Sequence, residues 1–361
     1  FEVMLALRLA SKRYFFRSCV HSSSLATVRA FASAAKPKIL VTRQLPASAM
    51  KMLTDAPIDV ICWDYPDKAI PRDKLLKDIK GCDACLCLLT DKINAEFFDA
   101  AGPQLKTVAS MSVGFDHFDI AECKKRGIFC GHTPGVMHRT VAELTVALLL
   151  ATTRRLSPAI DSVRNGGWGT WEPLGYCGTD VYGKTFGVCG MGEIGLEVVK
   201  RMRGFGCKIV YTDIRRKEDW ENDYQMTYLP MDEFLKQSDF ISIHTTLNQH
   251  TRGMFNMEKF KLMKKDAIII NTSRGPVINQ VDLTKALQEG IIGGAGLDVS
   301  DPEPVLPDNP LLKMPNVVIL PHIASASVAT RTRMGEMAAE FALKGMLGGE
   351  VNPRWIVPGT K

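Results

Sequence analysis

The sequence predicts an α/β protein built on two doubly wound parallel sheets. After residue 36, short runs typical of β-strands alternate with helical patterns almost to the end of the chain, which indicates parallel sheets connected by helices. The 361 residues, 46% hydrophobic and 23% charged, are typical of a globular protein and long enough for two domains. A long helical pattern at residues 140–154 divides the predicted strands into two series.

Each series consists of short apolar runs of strand length. Five predicted strands form the first series, at residues 39–42, 59–63, 84–89, 107–111 and 127–131. Six form the second, at residues 185–189, 208–212, 240–244, 267–271, 295–299 and 317–320. Between the two series, residues 165–182 are rich in Gly and Trp with little periodicity, which predicts a surface loop. The tail at residues 327–347 is again helical, and its pattern does not tell which sheet it joins.

The first 36 residues differ in composition from the rest of the chain. They carry six basic side chains and one acid, interleaved with Leu, Phe, Ser and Ala, which is typical of a mitochondrial transit peptide. A disordered tail without a targeting role is the alternative. Without this leader the net charge falls from +6 to about +1, so we predict no nucleic-acid-binding surface. No run reaches the roughly 18 apolar residues of a membrane span, so we predict no membrane partner.

The ten cysteines lie mostly within apolar segments, which is typical of reduced core side chains in a reducing compartment. Cys82 and Cys85 have the CxxC spacing, and Cys87 follows them. However, no second pair stands at zinc-ribbon spacing, and residues 83–89 have the pattern of a buried strand. We therefore predict no metal site and no redox site.

A glycine-rich turn follows the predicted strand at residues 185–189. Its six residues are Gly190, Met191, Gly192, Glu193, Ile194 and Gly195. The GxGxxG spacing between a strand and a helix is the fingerprint of a dinucleotide-binding Rossmann turn. Gly190 makes the tight turn, Gly192 lets the backbone approach a pyrophosphate, and Gly195 allows the helix to pack closely on the strand. The free N–H groups at the helix N-terminus favour a diphosphate.

Charged residues at the end of the next strand bear on the choice between NADH and NADPH. Asp213 is placed to accept hydrogen bonds from the adenosine ribose and to repel a 2′-phosphate, which favours NADH. Arg215 and Arg216 stand where guanidinium groups could bind a 2′-phosphate, although they could also form a solvated basic loop. The sequence leans slightly towards NADH and leaves the choice open.

Three polar side chains follow three consecutive predicted strands of the second series. Arg274 follows residues 267–271, Glu303 follows residues 295–299, and His322 follows residues 317–320. Ligands of open α/β sheets bind at the carboxyl ends of the strands, so these side chains meet where a ligand would lie. Each one alone is better explained as a surface or capping residue, and a Rossmann turn alone would equally suit a methyltransferase. Together they predict a catalytic site.

With this turn and these three side chains, the chain resembles the D-isomer-specific 2-hydroxyacid dehydrogenase family, and within it the glyoxylate/hydroxypyruvate reductases of animals. Four further segments carry the resemblance, namely residues 86–91 (LCLLTD), 111–117 (MSVGFDH), 165–171 (NGGWGTW) and 319–323 (ILPHI). The resemblance implies reduction of glyoxylate to glycolate and of hydroxypyruvate to D-glycerate by NAD(P)H, in a homodimer. It also implies a Rossmann domain at residues 137–327, inserted in a discontinuous substrate domain made of residues 37–136 and 328–361.

The resemblance implies a role for each catalytic candidate. His322 is the general acid that protonates the substrate carbonyl, and Glu303 orients its imidazole and favours the protonated form. Arg274 presents a planar fork to the substrate carboxylate. The backbone of Val113 and Gly114 completes the anion pocket from the other domain, so the cleft must close for chemistry.

The remaining implied positions concern the cofactor and the second subunit. Thr246, Thr272 and Asp298 match positions that line the dinucleotide. Trp171 matches a residue that reaches into the active site of the neighbouring subunit and limits substrate size, although it could simply pack at the dimer interface. The position of Asp213 is often uncharged in this subfamily, which is consistent with a preference for NADPH there. The other histidines have no catalytic counterpart and are interpreted as structural.

Two other functions remain as alternatives. One is a sibling dehydrogenase such as phosphoglycerate dehydrogenase, which would need extra cations for the phosphate. The other is a corepressor-type protein of the same fold that binds NAD as a switch and acts through protein partners; the leader argues against it. The leader places the protein in the mitochondrial matrix, with the cytoplasm as the alternative.

Overall fold

Two parallel sheets form the framework of the computed structural model, which describes residues 36–360. The described residues belong to one compact unit that begins at Lys36. The predicted α/β fold with two parallel sheets is confirmed. The interpretation of residues 1–36 as a transit peptide concerns a segment that, except for its last residue, lies outside the described range.

The first sheet has five strands in the order β2-β1-β3-β4-β5. These strands are β1 (Lys38–Val41), β2 (Asp59–Cys62), β3 (Ala84–Cys87), β4 (Thr107–Ser110) and β5 (Phe129–Gly131). All of their pairings are parallel. The helices between them are α1 (Ala47–Thr54), α2 (Arg72–Asp78), α3 (Ala95–Ala101) and α4 (Ile120–Lys125).

Two helices then lead into the second sheet, α5 (His138–Thr153) and α6 (Leu156–Arg164). The strands of this sheet are β6 (Thr185–Cys189), β7 (Lys208–Thr212), β8 (Met226–Tyr228), β9 (Phe240–Ile243), β10 (Ile268–Asn271), β11 (Gly294–Leu297) and β12 (Val317–Ile319). They run parallel in the order β12-β11-β10-β9-β6-β7-β8. The helices that follow α6 are α7 (Glu193–Met202), α8 (Glu218–Tyr224), α9 (Met231–Gln237), α10 (Met257–Leu262), α11 (Gln280–Gln288) and α12 (Val328–Leu347).

Buried apolar side chains lie on both faces of each sheet, as expected where helices cover a parallel sheet on both sides. In β1, Leu40 packs into a cluster with α2 and α3, while Ile39 and Val41 point the other way. Because successive strand residues face opposite sides, a continuous apolar run is needed to fill both clusters. The long helix α12 packs on the Ile39 side, where Phe341 and other α12 residues are buried. This final helix therefore covers the first sheet, although the chain enters it from the second.

Polar side chains and prolines mark where several helices begin. The Asn94 side chain accepts a hydrogen bond from the N–H of Phe97 at the start of α3, and Asp119 caps α4 in the same way. Ser327 caps α12 by accepting from the N–H of Thr330. These caps satisfy N–H groups that have no partner within the helix.

The structure differs from the predicted elements mainly at strand ends and at one edge. Most predicted strands end one or two residues early, for example β11 at Leu297 instead of residue 299. Strand β8 was not predicted, because only Met226 of its three residues is buried and an edge strand this short has no clear pattern. Residues 165–182 contain no helix or strand, which confirms the predicted loop. The predicted domain boundaries at residues 136/137 and 327/328 lie just before α5 and α12, and the division into domains stays a prediction.

The predicted buried strand at residues 83–89 is confirmed for residues 84–87, because Cys85 and Cys87 lie in β3 with no exposed surface, whereas Cys82 precedes the strand. Burial raises the pKa of both thiols well above the ordinary value, so they are held in the neutral form. Within residues 36–360, no three His, Cys, Asp or Glu side chains are grouped to hold a metal ion. In the same range, no helix combines the length and apolar character needed to cross a membrane.

Candidate active site

A cavity of about 690 Å³ lies between the carboxyl ends of the two sheets. The first sheet contributes the segments after β1, β3 and β4, which are residues 43–46, 88–90 and 111–116. The second sheet contributes the segments after β9, β10 and β12, which are residues 244–247, 272–274 and 321–322. Arg274, Glu303 and His322 all line this cavity. The structure therefore brings the three predicted catalytic side chains together.

His322 and Glu303 form a closely coupled pair. The imidazole Nδ1 lies 2.5 Å from Glu303 Oε1, so the carboxylate fixes the ring orientation. The φ angle of His322 is +55°, a left-handed conformation that few non-glycine residues adopt. Such backbone strain is common at functional sites and persists only where the surroundings hold it in place.

Asp298 holds the strained segment that carries His322. Its two carboxylate oxygens accept hydrogen bonds of 2.8 Å from the N–H groups of Ile323 and Ala324. Its carbonyl oxygen accepts from the N–H of His322 at 2.9 Å. Burial raises the pKa of Asp298, and these N–H donors act in the opposite direction. Asp298 is fully buried and does not line the cavity, so it lies behind His322, and its predicted contact with a dinucleotide stays a prediction.

Arg274 is held from two sides. Its Nε donates to Asp116 Oδ1 at 2.9 Å, and its Nη1 donates to the carbonyl of Ser273 at 2.9 Å. Asp116 follows β4 of the first sheet and Arg274 follows β10 of the second, so this ion pair spans the cleft. Gly114 lies directly against the guanidinium, and any β-carbon at that position would collide with Nη2.

The Asp116 carboxylate is ionised in this pair. Burial alone would raise the pKa of Asp116, but the adjacent Arg274 guanidinium more than offsets that effect and holds the pKa below its ordinary value. Arg274 therefore has a permanent anionic partner on its Nε edge. Its Nη2 donates no hydrogen bond to any residue between 36 and 360, and this end faces Gly114.

The loop after β4 is arranged so that its N–H groups are available. The Val113 carbonyl oxygen lies within hydrogen-bond distance, 2.9 Å, of His132 Nδ1, and the Gly114 carbonyl accepts a hydrogen bond from the Ser112 hydroxyl at 2.7 Å. The N–H groups of Val113 and Gly114 donate to no acceptor in the described part of the chain. Together with Arg274 they can receive an anion.

Two other histidines near the cleft are poor proton donors. Burial lowers the pKa of His244 to about 3 and that of His117 to about 4. Both imidazoles are therefore neutral near pH 7. Among these three, His322 is the one paired with a carboxylate, which is the arrangement that a general acid requires.

The glycine-rich turn has the shape needed for a dinucleotide. Gly190 has a φ of +95°, and a β-carbon there would lie 2.8 Å from the His244 backbone. Gly195 packs against the carbonyl of Gly190, as predicted for close helix packing. At Gly192, by contrast, a β-carbon would meet no protein atom within 4 Å, and no side chain caps the N-terminus of α7. This open space beside free N–H groups fits a pyrophosphate.

The residues that bear on the ribose are only partly available. Asp213 lies at the turn, where its carboxylate accepts from the N–H groups of Met191 at 2.6 Å and Arg215 at 2.9 Å. The Arg216 guanidinium donates two hydrogen bonds of 2.8 Å to Glu221, so it does not face the ribose position freely. The hydrogen bond from Arg216 is the main reason that the pKa of Glu221 falls to about 2.

The other predicted site residues divide into two groups. Ile194, Thr246 and Thr272 line the cavity. Glu193 instead forms a surface ion pair with Arg354, and Trp171 is 78% exposed on the loop at residues 165–182, away from the cavity wall. Sequence reasoning missed Asp116, although it lies inside the MSVGFDH segment, because its role depends on a contact with the other sheet.

Comparisons with known proteins agree with this geometry. Residues 146–324 match the family model described as "D-isomer specific 2-hydroxyacid dehydrogenase, NAD binding domain". The chain is 45% identical to the glyoxylate reductase of Korarchaeum cryptofilum over 89% of this chain and 96% of that protein. It is 43% identical to human glyoxylate reductase/hydroxypyruvate reductase over 86% of this chain and 95% of that protein.

Solved structures show the same fold. A protein from Thermus thermophilus superposes with a TM-score of 0.82 at 40% identity, covering 89% of this chain and 99% of that one. The NADPH-dependent glyoxylate/hydroxypyruvate reductase of Sinorhizobium meliloti, in complex with NADP and malonate, has a TM-score of 0.76 at 29% identity, covering 90% and 98%. On this sequence and structural similarity, the chain belongs to the D-isomer specific 2-hydroxyacid dehydrogenase family, whose members bind a nicotinamide cofactor.

Proposed function

We propose that this protein reduces small 2-oxo acids, glyoxylate to glycolate and hydroxypyruvate to D-glycerate. The observation that carries the proposal is the convergence of Arg274, Glu303 and His322 on one cavity, next to a dinucleotide turn. The similarity to glyoxylate and glyoxylate/hydroxypyruvate reductases over most of the chain supports the choice of substrate.

Substrate binding follows from the anion pocket. Arg274 and the N–H groups of Val113 and Gly114 hold the carboxylate of the 2-oxo acid, since charge-assisted hydrogen bonds to a carboxylate are strong and directional. Asp116 and the Ser273 carbonyl restrict the guanidinium to one orientation. The substrate is thereby fixed with its keto oxygen towards His322.

His322 supplies the proton. Its Nδ1 is bonded to Glu303, so Nε2 is the atom that donates to the carbonyl oxygen as the alcohol forms. The Glu303 carboxylate holds the imidazole ring in one orientation. The turn at residues 190–195 would hold NAD(P)H, which when bound would supply the hydride.

The test is an initial-rate measurement of cofactor oxidation with glyoxylate and with hydroxypyruvate, on protein that begins at residue 37. We expect turnover with both acids. A folded protein that binds the cofactor and turns over neither would favour a sibling substrate or a dinucleotide-sensing role.

We propose NADH as the preferred cofactor. Asp213 places a negative charge where a 2′-phosphate would lie, and Arg216 is engaged by Glu221. Arg215 alone is left to counter this charge. Asp213→Ser is expected to raise the ratio of kcat/KM for NADPH to that for NADH about tenfold or more. An unchanged ratio would remove Asp213 from cofactor selection.

We propose that the active form is a homodimer that buries α6 and the loop at residues 165–182. Helix α6 has no buried residue, and Leu156, Ile160 and Val163 are exposed on one face at helical spacing. The loop adds exposed aromatic side chains, among them Trp171. Exposed apolar patches of this kind mark interaction surfaces.

Sedimentation analysis tests the dimer. Ile160→Glu is expected to give a monomer, whereas Val281→Glu, at an even more exposed apolar side chain on α11, is expected to leave the dimer intact. A wild-type monomer at micromolar concentration would contradict the proposal.

We further propose that the protein is imported into mitochondria. Support comes from the basic, acid-poor composition of residues 1–36. Cell fractionation of a tagged full-length chain is expected to recover a shortened form in the matrix. Intact protein found exclusively in the cytosol would refute import.

A further inference from the structure

Two arginines that the proposed chemistry does not use also line the cavity. Arg43 follows β1, and Arg331 lies in the first turn of α12. Both belong to the wall formed by the first sheet and its covering helix. Neither was singled out by the sequence patterns.

The Arg43 guanidinium is almost without protein partners. Its Nη2 lies 3.5 Å from Thr90 Oγ1, a long contact, and its Nε is buried without any hydrogen-bond acceptor. No carboxylate of the described chain lies within ion-pair distance of Arg43. A guanidinium has five N–H donors, and leaving them unsatisfied in a partly buried place is costly. The Arg43 donors are therefore available to an oxygen acceptor of a bound molecule.

Arg331 is held by one end only. Its Nε donates to Ser325 Oγ at 3.1 Å, and Ser325 lies three residues after His322 on the same cavity wall. Its Nη groups donate to no acceptor within residues 36–360, and it has no carboxylate partner there. Arg331 thus lines the same cavity as His322 while remaining an exposed side chain.

The carboxylates around the cavity are all engaged by groups other than Arg43 and Arg331. Asp116 neutralises Arg274, and Glu303 is paired with His322. Asp91, which acts on Arg43 through space, has its carboxylate bonded to the Thr42 hydroxyl and the Leu88 N–H. Arg43 and Arg331 are thus the two cavity-lining charges with no direct counter-ion among the described residues.

The layout of the first sheet tells which part of a substrate would meet them. The anion loop follows β4, while Arg43 follows β1, two strands away in the order β1-β3-β4, or about 10 Å at the usual strand spacing. A 2-oxo acid held by its carboxylate at Gly114 and by its keto oxygen at His322 has only its C3 substituent left to face this wall.

We propose that Arg43 and Arg331 are specificity-determining residues that bind an oxygen on C3 of the substrate, carried as a hydroxyl or as a phosphate ester. The inference rests on the proposed reductase function and names the substrate class of that site. Guanidinium N–H groups need oxygen acceptors, and a methyl group at C3 would leave them unpaired. Such a site discriminates strongly against an analogue that lacks the oxygen.

The experiment compares kcat/KM for pyruvate, hydroxypyruvate and 3-phosphohydroxypyruvate in the wild type and in the variants Arg43→Gln and Arg331→Gln. Arg333→Gln is the matched control, because Arg333 lies two residues further along α12 and pairs with Glu336 on the surface. We expect the wild type to prefer a C3-oxygen substrate over pyruvate by about 100-fold or more. Each cavity variant should reduce that preference about tenfold, and the control should keep it.

The ratio of two substrates on one preparation is independent of how much of a variant is folded. Arg43→Lys and Arg331→Lys keep the charge and are expected to retain an intermediate preference. The better of the two oxygenated substrates identifies whether the oxygen is a hydroxyl or a phosphate ester. If the preference for a C3-oxygen substrate over pyruvate is unchanged in both Gln variants, the inference is overturned. A wild type that does not turn over glyoxylate would instead contradict the reductase proposal.

Discussion

His322 is the residue on which the chemistry depends, and its position is held by one buried carboxylate and one carboxylate of the cavity wall. The left-handed backbone at His322 is bracketed by hydrogen bonds to the carbonyl and carboxylate of Asp298. The side chain is then oriented by Glu303. One buried aspartate thus fixes the backbone, and one cavity glutamate fixes the ring.

Replacing Asp298 tests this support. Asp298→Ala would leave the buried N–H groups of Ile323 and Ala324 without acceptors, which costs about 1–3 kcal/mol for each group. We expect a lower free energy of unfolding and a fall in kcat of about tenfold or more, with the Kd for NADH little changed. Urea unfolding, initial rates and fluorescence titration measure these quantities. Asp308→Ala, at an exposed position, is the control.

The outcome also decides between two roles for Asp298. If Asp298 lined the dinucleotide, as the family resemblance implies, Asp298→Ala would raise the Kd for NADH while kcat at saturating cofactor stayed normal. That result would contradict a positioning role.

At the scale of elements, two glycines of the turn between β6 and α7 differ in role: Gly190 serves the fold of the turn, and Gly192 serves binding. A β-carbon at Gly190 would meet backbone atoms of His244, whereas one at Gly192 would meet no protein atom within 4 Å. Gly190 is therefore needed for the fold of the turn. Gly192 is needed only for what binds beside it.

Gly192→Ala makes this distinction measurable. The added methyl group collides with nothing in the protein, so we expect the free energy of unfolding to stay within about 0.5 kcal/mol of the wild type. It would occupy the space of the pyrophosphate, so the Kd for NADH should rise at least about tenfold. Gly204→Ala, another open glycine, is the control for a methyl group alone. Unchanged NADH binding would place the pyrophosphate elsewhere.

Helix α7 also predicts a pH dependence of stability. Hydrogen bonds from Lys200 lower the pKa of Glu197 to about 2, against opposition from burial, and Arg201 acts in the same direction. Because the pKa is depressed in the folded state, this contribution is complete above the unfolded pKa of roughly 4.3 and is lost as pH falls towards 2.

Glu197→Gln should therefore lower the free energy of unfolding at pH 7 by up to about 3 kcal/mol, and by less at pH 3. Urea unfolding at the two pH values gives the comparison. The exposed pair of Glu233 and Lys236 supplies a control, since Glu233→Gln should cost little at either pH. An equal loss at both pH values would show that Glu197 acts by packing and not by charge.

Local patterns were sufficient to predict some elements and not others. Strands such as β6 and β10 are continuous apolar runs, so their burial is visible in the sequence itself. The engagement of Arg216 by Glu221 is local, five residues apart, but no sequence pattern indicates that the guanidinium turns to this carboxylate. The engagement of Arg274 by Asp116 could not be predicted, because it depends on how separate segments pack. The same reason explains why the free arginines of the cavity were missed: an unpaired charge is recognised only when every possible partner has been placed.

For the whole molecule, the active site exists only where the two sheets meet. The first sheet provides the anion loop and Asp116, and the second provides Arg274, His322 and the dinucleotide turn. The ion pair between Arg274 and Asp116 is therefore both a contact across the cleft and a means of orienting the guanidinium.

Removing this contact should affect substrate binding more than turnover. Asp116→Ala is expected to raise KM for glyoxylate about tenfold or more with a smaller effect on kcat, because Arg274 loses the partner that orients it. Asp116→Asn keeps a neutral hydrogen-bond acceptor, so its KM for glyoxylate should lie between those of the wild type and Asp116→Ala. Asp99→Ala, which removes a surface ion pair with Arg126, is the control. A normal KM in Asp116→Ala would show that Arg274 needs no orienting partner.

The most direct test of the central claim is the kcat for NADH-dependent glyoxylate reduction in His322→Ala, measured beside the Kd for NADH and compared with His250→Ala, an exposed histidine. General acid catalysis contributes about 10²- to 10⁴-fold, so kcat should fall by that factor while the Kd for NADH is retained. His250→Ala should match the wild type. Undiminished turnover in His322→Ala would contradict the assignment of the general acid and, with it, the proposed mechanism.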